Sequence, residues 1–267
     1  MSDAGLSPFG RVLRRWRGAR GMSQLALATS AATSTRHLSF LETGRAQPSR
    51  EMVLRLAHAL DVPLRERNAL LAAAGFAAFY RESALEAPAM SALSRMIEFT
   101  LARFEPFPAF LVDRHFRLLR ANAAAGKALG GFVKDAPIWR EQPLNLLRLT
   151  LHPDALAPHI VNFREVAVSM LTRLERVVTS CGDDGELAAL ERELRALPGM
   201  PAPSSFPATL DPVMPLHLKR GELEMRLFTM LSQVGGAQDV TAAELHIETL
   251  MPADAASEAA LRALAEA

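Results

Sequence analysis

Cysteine is almost missing from this chain: Cys181 is the only one in 267 residues. No intrachain disulfide can form and no cysteine-rich zinc module can be built, which fits a reducing compartment. Lysine is nearly as scarce, with only Lys127, Lys134 and Lys219. Cationic chemistry here is therefore guanidinium chemistry, whose planar fork suits phosphates and guanine edges. Long apolar runs are absent too. The longest nearly uncharged one, Ala69 to Tyr80, falls well short of the roughly 20 residues that span a bilayer. Met1 to Gly10 has neither an apolar core nor a small-residue cleavage site. The chain is expected to be soluble and cytoplasmic, with no membrane partner.

Catalytic signatures are missing as well. The seven histidines form no HExxH or comparable metal spacing, and no GxGxxG, P-loop or GxSxG string occurs. His152 and His159, separated by two prolines, read as helix-end or surface residues. Cys181 beside Gly182-Asp183-Asp184 lacks a basic activator, so it reads as an inert thiol. The expectation is a protein that is not an enzyme and holds no metal or cofactor.

What is present is a globular composition, 49% apolar and 22% charged, in a length that suits one large domain or two ordinary ones. The net charge of +1 hides an asymmetry. Residues 1–81 hold twelve arginines and five acids, a net +7, and residues 82–267 carry −6. That pattern fits either a polyanion-binding head on an acidic body or a solvated arginine-rich helix face.

The first 80 residues read as five short helices. Phe9, Val12, Leu13 and Trp16 form an amphipathic stripe that Gly18 and Gly21 end. Ser23 is an N-cap for a helix over Gln24 to Thr29, with Leu25 and Ala28 expected to face inward. After the small-residue turn Ser30-Ala31-Ala32-Thr33, a helix runs from Ser34 to Thr43 and stops at Gly44. Its Leu38 and Leu41 face the core, leaving Thr35, Arg36, Ser39 and Phe40 outside. Pro48 and Ser49 open a fourth helix burying Val53, Leu56, Ala57 and Leu60. Pro63 sits in the first turn of a fifth, closed by Gly75. Two helices joined by a tight turn within such a set describe a helix-turn-helix domain.

The order Met22-Ser23-Gln24, Leu27-Ala28, Leu41-Glu42-Thr43-Gly44-Arg45, Pro48-Ser49 resembles the XRE-type, Cro-like DNA-binding domain. Ala32 departs from it, standing where the family usually has glycine, at a position that can need positive φ. The resemblance implies duplex DNA as partner. It implies that Gln24 bonds a phosphate and braces the recognition helix. It also implies that Thr35, Arg36 and Phe40 face base edges, flanked by Ser34 and Ser39, and that Arg45 clamps a phosphate. Arg36 is the residue best suited to direct readout of guanine. Phe40 fits a thymine-methyl contact and a local apolar patch equally well. Glu42 matches a position that is usually structural.

From Arg81 to about Ala89 periodicity lapses, and the charge changes sign. This places a domain over 1–80, a linker over 81–90 and a second domain over 91–267. A helix is predicted over Ala89 to Arg103. Ala109 to Val112 and Phe116 to Leu119 follow as a hairpin around Asp113-Arg114-His115. Asn122 caps Ala123 to Leu129. Further helices are predicted over Asn145–Thr150, Ala157–Thr179 and Glu186–Leu197, the last after a turn at 182–185. Residues 198–212, with five prolines, form a long irregular loop suited to a lid. Strands are predicted over Val213–Lys219, Glu222–Val234 and Ala243–Leu250, and a last helix over Asp254–Ala265. The fold class is α+β overall: an all-α five-helix head, then a PAS-like α+β domain with an antiparallel sheet.

Pro108 to Asp113, Ala121-Asn122-Ala123-Ala124, Asn145 to Leu149, His152-Pro153, Asn162, Val213 to Leu216, Asp239-Val240-Thr241 and Pro252-Ala253-Asp254 together resemble the MmyB-type ligand-binding domain. The resemblance implies a PAS-like domain with an apolar pocket and fatty acids as the ligand class. On that reading Phe110, Val112, Leu118, Leu216, Leu218, Met225, Leu227 and Leu245 line the pocket. Arg148 or Arg226 meets the carboxylate. The whole reads as a homodimeric regulator that binds duplex DNA and senses a fatty-acid-like apolar molecule. The alternative is a second domain that only dimerises or docks protein. No haem or flavin is expected, since no histidine stands out as an axial ligand.

Overall fold

The computed structural model describes residues 6–181, 184–202 and 213–266. The chain divides into two compact units. The first comprises residues 1–82 with 238–240, and the second comprises 83–237 with 241–267.

The first unit is built from α1 (Pro8–Ala19), α2 (Gln24–Ser30), α3 (Thr35–Glu42), α4 (Arg50–Ala59) and α5 (Leu64–Ala73). One device starts four of them. Ser7, Ser23, Ser34 and Ser49 each accept an amide N–H of the first turn through the hydroxyl, at 3.0–3.2 Å. Left-handed residues follow the helices: Gly21, Ala32 (φ 48°), Gly44 and Gly75. Ala32 thus adopts the conformation for which the family prefers glycine. Leu13, Trp16, Leu27, Leu38, Leu41, Val53, Leu56 and Leu71 are buried together. Two expectations are corrected here. Leu25 is 66% exposed, and Leu27 and Ala31 join the expected Ala28 in facing inward. Gly18 lies inside α1, so Gly21 alone turns the chain. Gly10 is required by packing, since a Cβ there would stand 2.1 Å from the Glu42 carbonyl oxygen.

The second unit begins with α6 (Ser91–Arg103), preceded by a 3-10 turn. It continues through β1 (Ala109–Val112), β2 (Leu118–Ala121), α7 (Ala123–Val133), α8 (Leu146–Leu151), α9 (Phe163–Ser180) and α10 (Gly185–Arg195). β3 (Leu216–Arg220), β4 (Leu223–Gln233), α11 (Val240–Glu244), β5 (His246–Pro252) and α12 (Ala255–Glu266) complete the chain. The five strands form one antiparallel sheet in the order β2-β1-β5-β4-β3, the α+β layout expected from the sequence. Asn122 caps α7 and is itself buried. It accepts from Ala109 and Ala125 amides and donates to the Leu101 and Phe107 carbonyls.

Four boundaries differ from expectation, each because tertiary contacts override local pattern. The second strand begins at Leu118, because the Asp113 carboxylate accepts the His115 and Arg117 amides and Phe116 turns left-handed. The helix expected over Ala157–Thr179 is broken at 160–162. There Ile160 pairs with Leu218, the Val161 amide donates to His217, and the Asn162 side chain bonds Pro215 and His217. Ala243 and Glu244 belong to α11, so the last strand starts at His246. Val213 precedes β3, which starts at Leu216. Gly182 and Asp183 of the expected turn, and residues 203–212 of the expected lid, lie outside the described residues.

Apolar residues pack on both faces of the sheet, while the end of β4 from Thr229 to Gln233 is exposed. Phe110, Val112, Leu218, Met225, Leu227 and Leu250 pack on one side with α7 and α12. Ala109, Leu111, Leu245 and Ile247 pack on the other with Ile97 and Leu101 of α6. A third cluster joins α8, α9 and α10 through Leu147, Leu151, Leu171, Leu174, Leu187 and Leu190.

Candidate nucleic-acid interface and apolar pocket

In the first unit, α3 offers one face to the core and one to solvent. Leu38 and Leu41 point inward, and Thr35 and Arg36 are exposed. Phe40 is half-buried between two guanidinium groups, Arg36 at 5.4 Å and Arg45 at 6.0 Å from its ring centre. Both cations lie within cation–π range of the ring. Ser34 is exposed, with its hydroxyl engaged in capping, and Ser39 is half-buried.

Beneath this surface lies a charged anchor. Glu42 is 3% exposed and accepts from Arg17 Nε at 2.6 Å, from Arg17 Nη2 at 3.1 Å and from Gln24 Nε2 at 2.8 Å. The hydrogen bond to Glu42 raises the Arg17 pKa above its already high ordinary value. Gln24, at the start of α2, is thereby fixed to the end of α3, so the angle between the two helices of the motif is set by side-chain hydrogen bonds. Glu42 is structural, as the resemblance implies, whereas its partner Arg17, with a third contact from Nη1 to the Met22 carbonyl, is the part of this arrangement that pattern reading missed.

The second unit contains a cavity of about 390 Å³ between the sheet and helices α8 and α9. Phe110, Leu149, Leu156, Met170, Leu216 and Leu250 give it an apolar wall. Its polar groups are Thr150, Ser169, Thr229, Arg173 and Glu248. Arg173 Nη2 stands 2.6 Å from Glu248 Oε1, and its guanidinium lies 5.0 Å from the Phe116 ring centre. Burial, and next the nearby Arg173 charge, push the His246 pKa below its ordinary value.

The sequence-predicted pocket residues divide sharply. Phe110 and Leu216 line the cavity. Val112, Leu118, Leu218, Met225 and Leu227 belong to the packed core beside it. Leu245 lies on the opposite face of the sheet, against α6. Arg148 is paired with Glu193 through two bonds of 2.7 Å, away from the cavity, and Arg226 is exposed. The ion pair Arg173–Glu248 was not anticipated. Glu248 stands on the same face of the last strand as Leu250.

These two sites match known families. A model of the MmyB-like transcription regulator ligand binding domain matches residues 93–264, and a helix-turn-helix domain model matches residues 8–70. The chain belongs to the MmyB-like transcription regulators. The regulator also resembles two solved proteins over its first unit. The restriction-modification controller protein C.AhdI from Aeromonas hydrophila is 36% identical, covering 23% of this chain and 92% of that one, with a TM-score of 0.22. The clp gene regulator ClgR from C. glutamicum is 30% identical, covering 26% and 86%, with a TM-score of 0.23. No curated protein matches the regulator. It is a DNA-binding helix-turn-helix transcription regulator with an MmyB-like ligand-binding domain. Among the described residues no helix is long and apolar enough to cross a membrane.

Proposed function

We propose that the regulator is a cytoplasmic homodimer that reads duplex DNA with α3 and senses a fatty-acid-like molecule in the cavity of its second unit. It acts by binding, not by catalysis, and residues 81–90 join a head over 1–80 to a sensor over 91–267. Arg36 reads a guanine through its planar fork, while Thr35 and Phe40 face neighbouring base edges. Gln24 and Arg45 hold phosphates, with Ser34 and Ser39 at the flanks. The observation that carries the sensor reading is a cavity of about 390 Å³ whose apolar wall ends at a single ion pair. That is the form of a small-molecule site: concave, mostly apolar, with few polar groups that orient the guest.

In a dimer, ligand would favour one arrangement of the heads, matching or mismatching half-sites about 34 Å apart. The sensor reading is tested by mass spectrometry of denatured protein for a bound lipid, and by melting of delipidated protein with a panel of fatty acids. A ligand at about a hundredfold excess over its Kd stabilises by about 2.7 kcal/mol. A panel that never shifts the melting temperature would favour a second unit that serves only in dimerisation or protein docking.

A further inference from the structure

The polar end of the cavity is an ion pair, and that pairing limits which head group can enter. Glu248 stands on the central strand β5, with Phe110 of β1 in register on one side and Leu231 of β4 on the other. All three line the cavity. A carboxylate in such company needs a cationic partner, and Arg173 supplies it from α9 at 2.6 Å. His246 on β5 feels both charges of the pair, and it also feels Glu244 of α11 and Asp113 of the loop after β1. His246 Nδ1 meets the Gln233 amide at 3.0 Å, and Glu244 accepts from Arg114 at 3.1 Å. Among the described lining residues the one cation is thus already matched by the one anion. An anionic head placed beside Arg173 meets the like charge of Glu248, whose side chain is 12% exposed. A neutral head with one donor and one acceptor meets no such conflict. Its N–H or O–H donates to Glu248, and its carbonyl accepts from another of the five Arg173 N–H groups.

We infer that the cavity selects acyl chains ending in a neutral donor–acceptor head, a primary amide or a carboxylic acid that carries its proton, over the carboxylate anion. The inference rests on the cavity being the ligand site. Binding of a fatty acid from neutral solution then takes up one proton. One carboxylate oxygen of the ligand–Glu248 pair becomes O–H and donates to the other carboxylate. The ligand carboxyl has an acidity near that of a glutamate side chain, about 4.3, so its apparent affinity falls about tenfold for each pH unit above ~5.

The test is isothermal titration of the full chain with decanoic acid, decanamide and methyl decanoate from about pH 6 to about pH 8, in buffers of different ionisation enthalpy. Decanamide is expected to bind alike throughout. Decanoic acid is expected to weaken about a hundredfold across that range and to take up one proton. Methyl decanoate, an acceptor without a donor, is expected to bind more weakly than the amide. Glu248→Gln should let the anion bind on the released Arg173 and abolish the pH dependence. Should that variant fail to fold, the proton count on the native chain decides alone. Acid binding without proton uptake, or an ester as tight as the amide, overturns the inference and leaves the ligand site standing. If none of the three compounds binds, the ligand-site reading falls together with it.

Discussion

Glu42 lies in a nearly sealed position where three N–H groups from Arg17 and Gln24 converge on its carboxylate. Removing one partner of such a pair leaves a charge with neither water nor a counter-ion. Arg17→Met is therefore expected to destabilise the head by about 3 kcal/mol, read as a lower urea midpoint with unchanged m. An unshifted midpoint would show that Glu42 finds solvent. On the proposed reading Arg36 and Gln24 carry different duties, and their variants should differ accordingly. Arg36→Ala is expected to cost about 1–3 kcal/mol on the selected site and to relax preference at one base position. Gln24→Ala should weaken all sequences alike, and competition binding against single-base variants checks both. The outer residues of α3 were legible because helical spacing and the family motif agree on them. Arg173 and Glu248 were not. They join a helix to a strand far away in sequence, and nothing local marks either as facing a cavity.

Strand β5 shows why alternation alone misplaces a pocket. Apolar residues pack on both faces of the sheet and so stand at odd and even positions, and alternation does not reveal that Leu245, just before β5, packs on the α6 side. The break at 160–162 was equally hidden, since Asn162 ends one turn and starts α9 only because β3 is there to pair with. The same reasoning selects the right cavity-filling variant. Leu227 is fully packed in the core, so a tryptophan there would strain it, whereas Met170 on α9 borders the cavity. Met170→Trp is expected to abolish ligand-dependent thermal stabilisation while leaving DNA affinity without ligand unchanged; a retained shift would place the ligand elsewhere. The loop after β1 adds a pH response. Burial, opposed by the Glu186 charge and helped by Arg114, holds His115 below its ordinary pKa, and burial and Arg173 do the same to His246. Asp113, Asp184 and Arg117 also face His115. Below about 6.5 the unfolded chain binds protons that the folded one resists, so stability falls as pH drops. Denaturant midpoints near neutrality and about one unit below 6.5 should show that loss, and His115→Asn should reduce it.

At the scale of the whole molecule, a +7 first third joined to a −6 remainder places the polyanion-binding charge and the ligand cavity in different compact units. The head's arginines displace condensed counterions, so log affinity for duplex should fall by about 0.9 per phosphate contact against log salt. Division of labour of this kind has a purpose only if the two units are coupled, and coupling has a measurable size. It is tested by titrating the full chain onto its selected duplex at fixed salt, with and without a saturating ligand identified by thermal shift. The expected result is a change in duplex Kd of between about five- and 150-fold, in either direction, with ligand affinity shifted by the same factor when DNA is bound. An unchanged Kd with the cavity demonstrably filled would contradict the account.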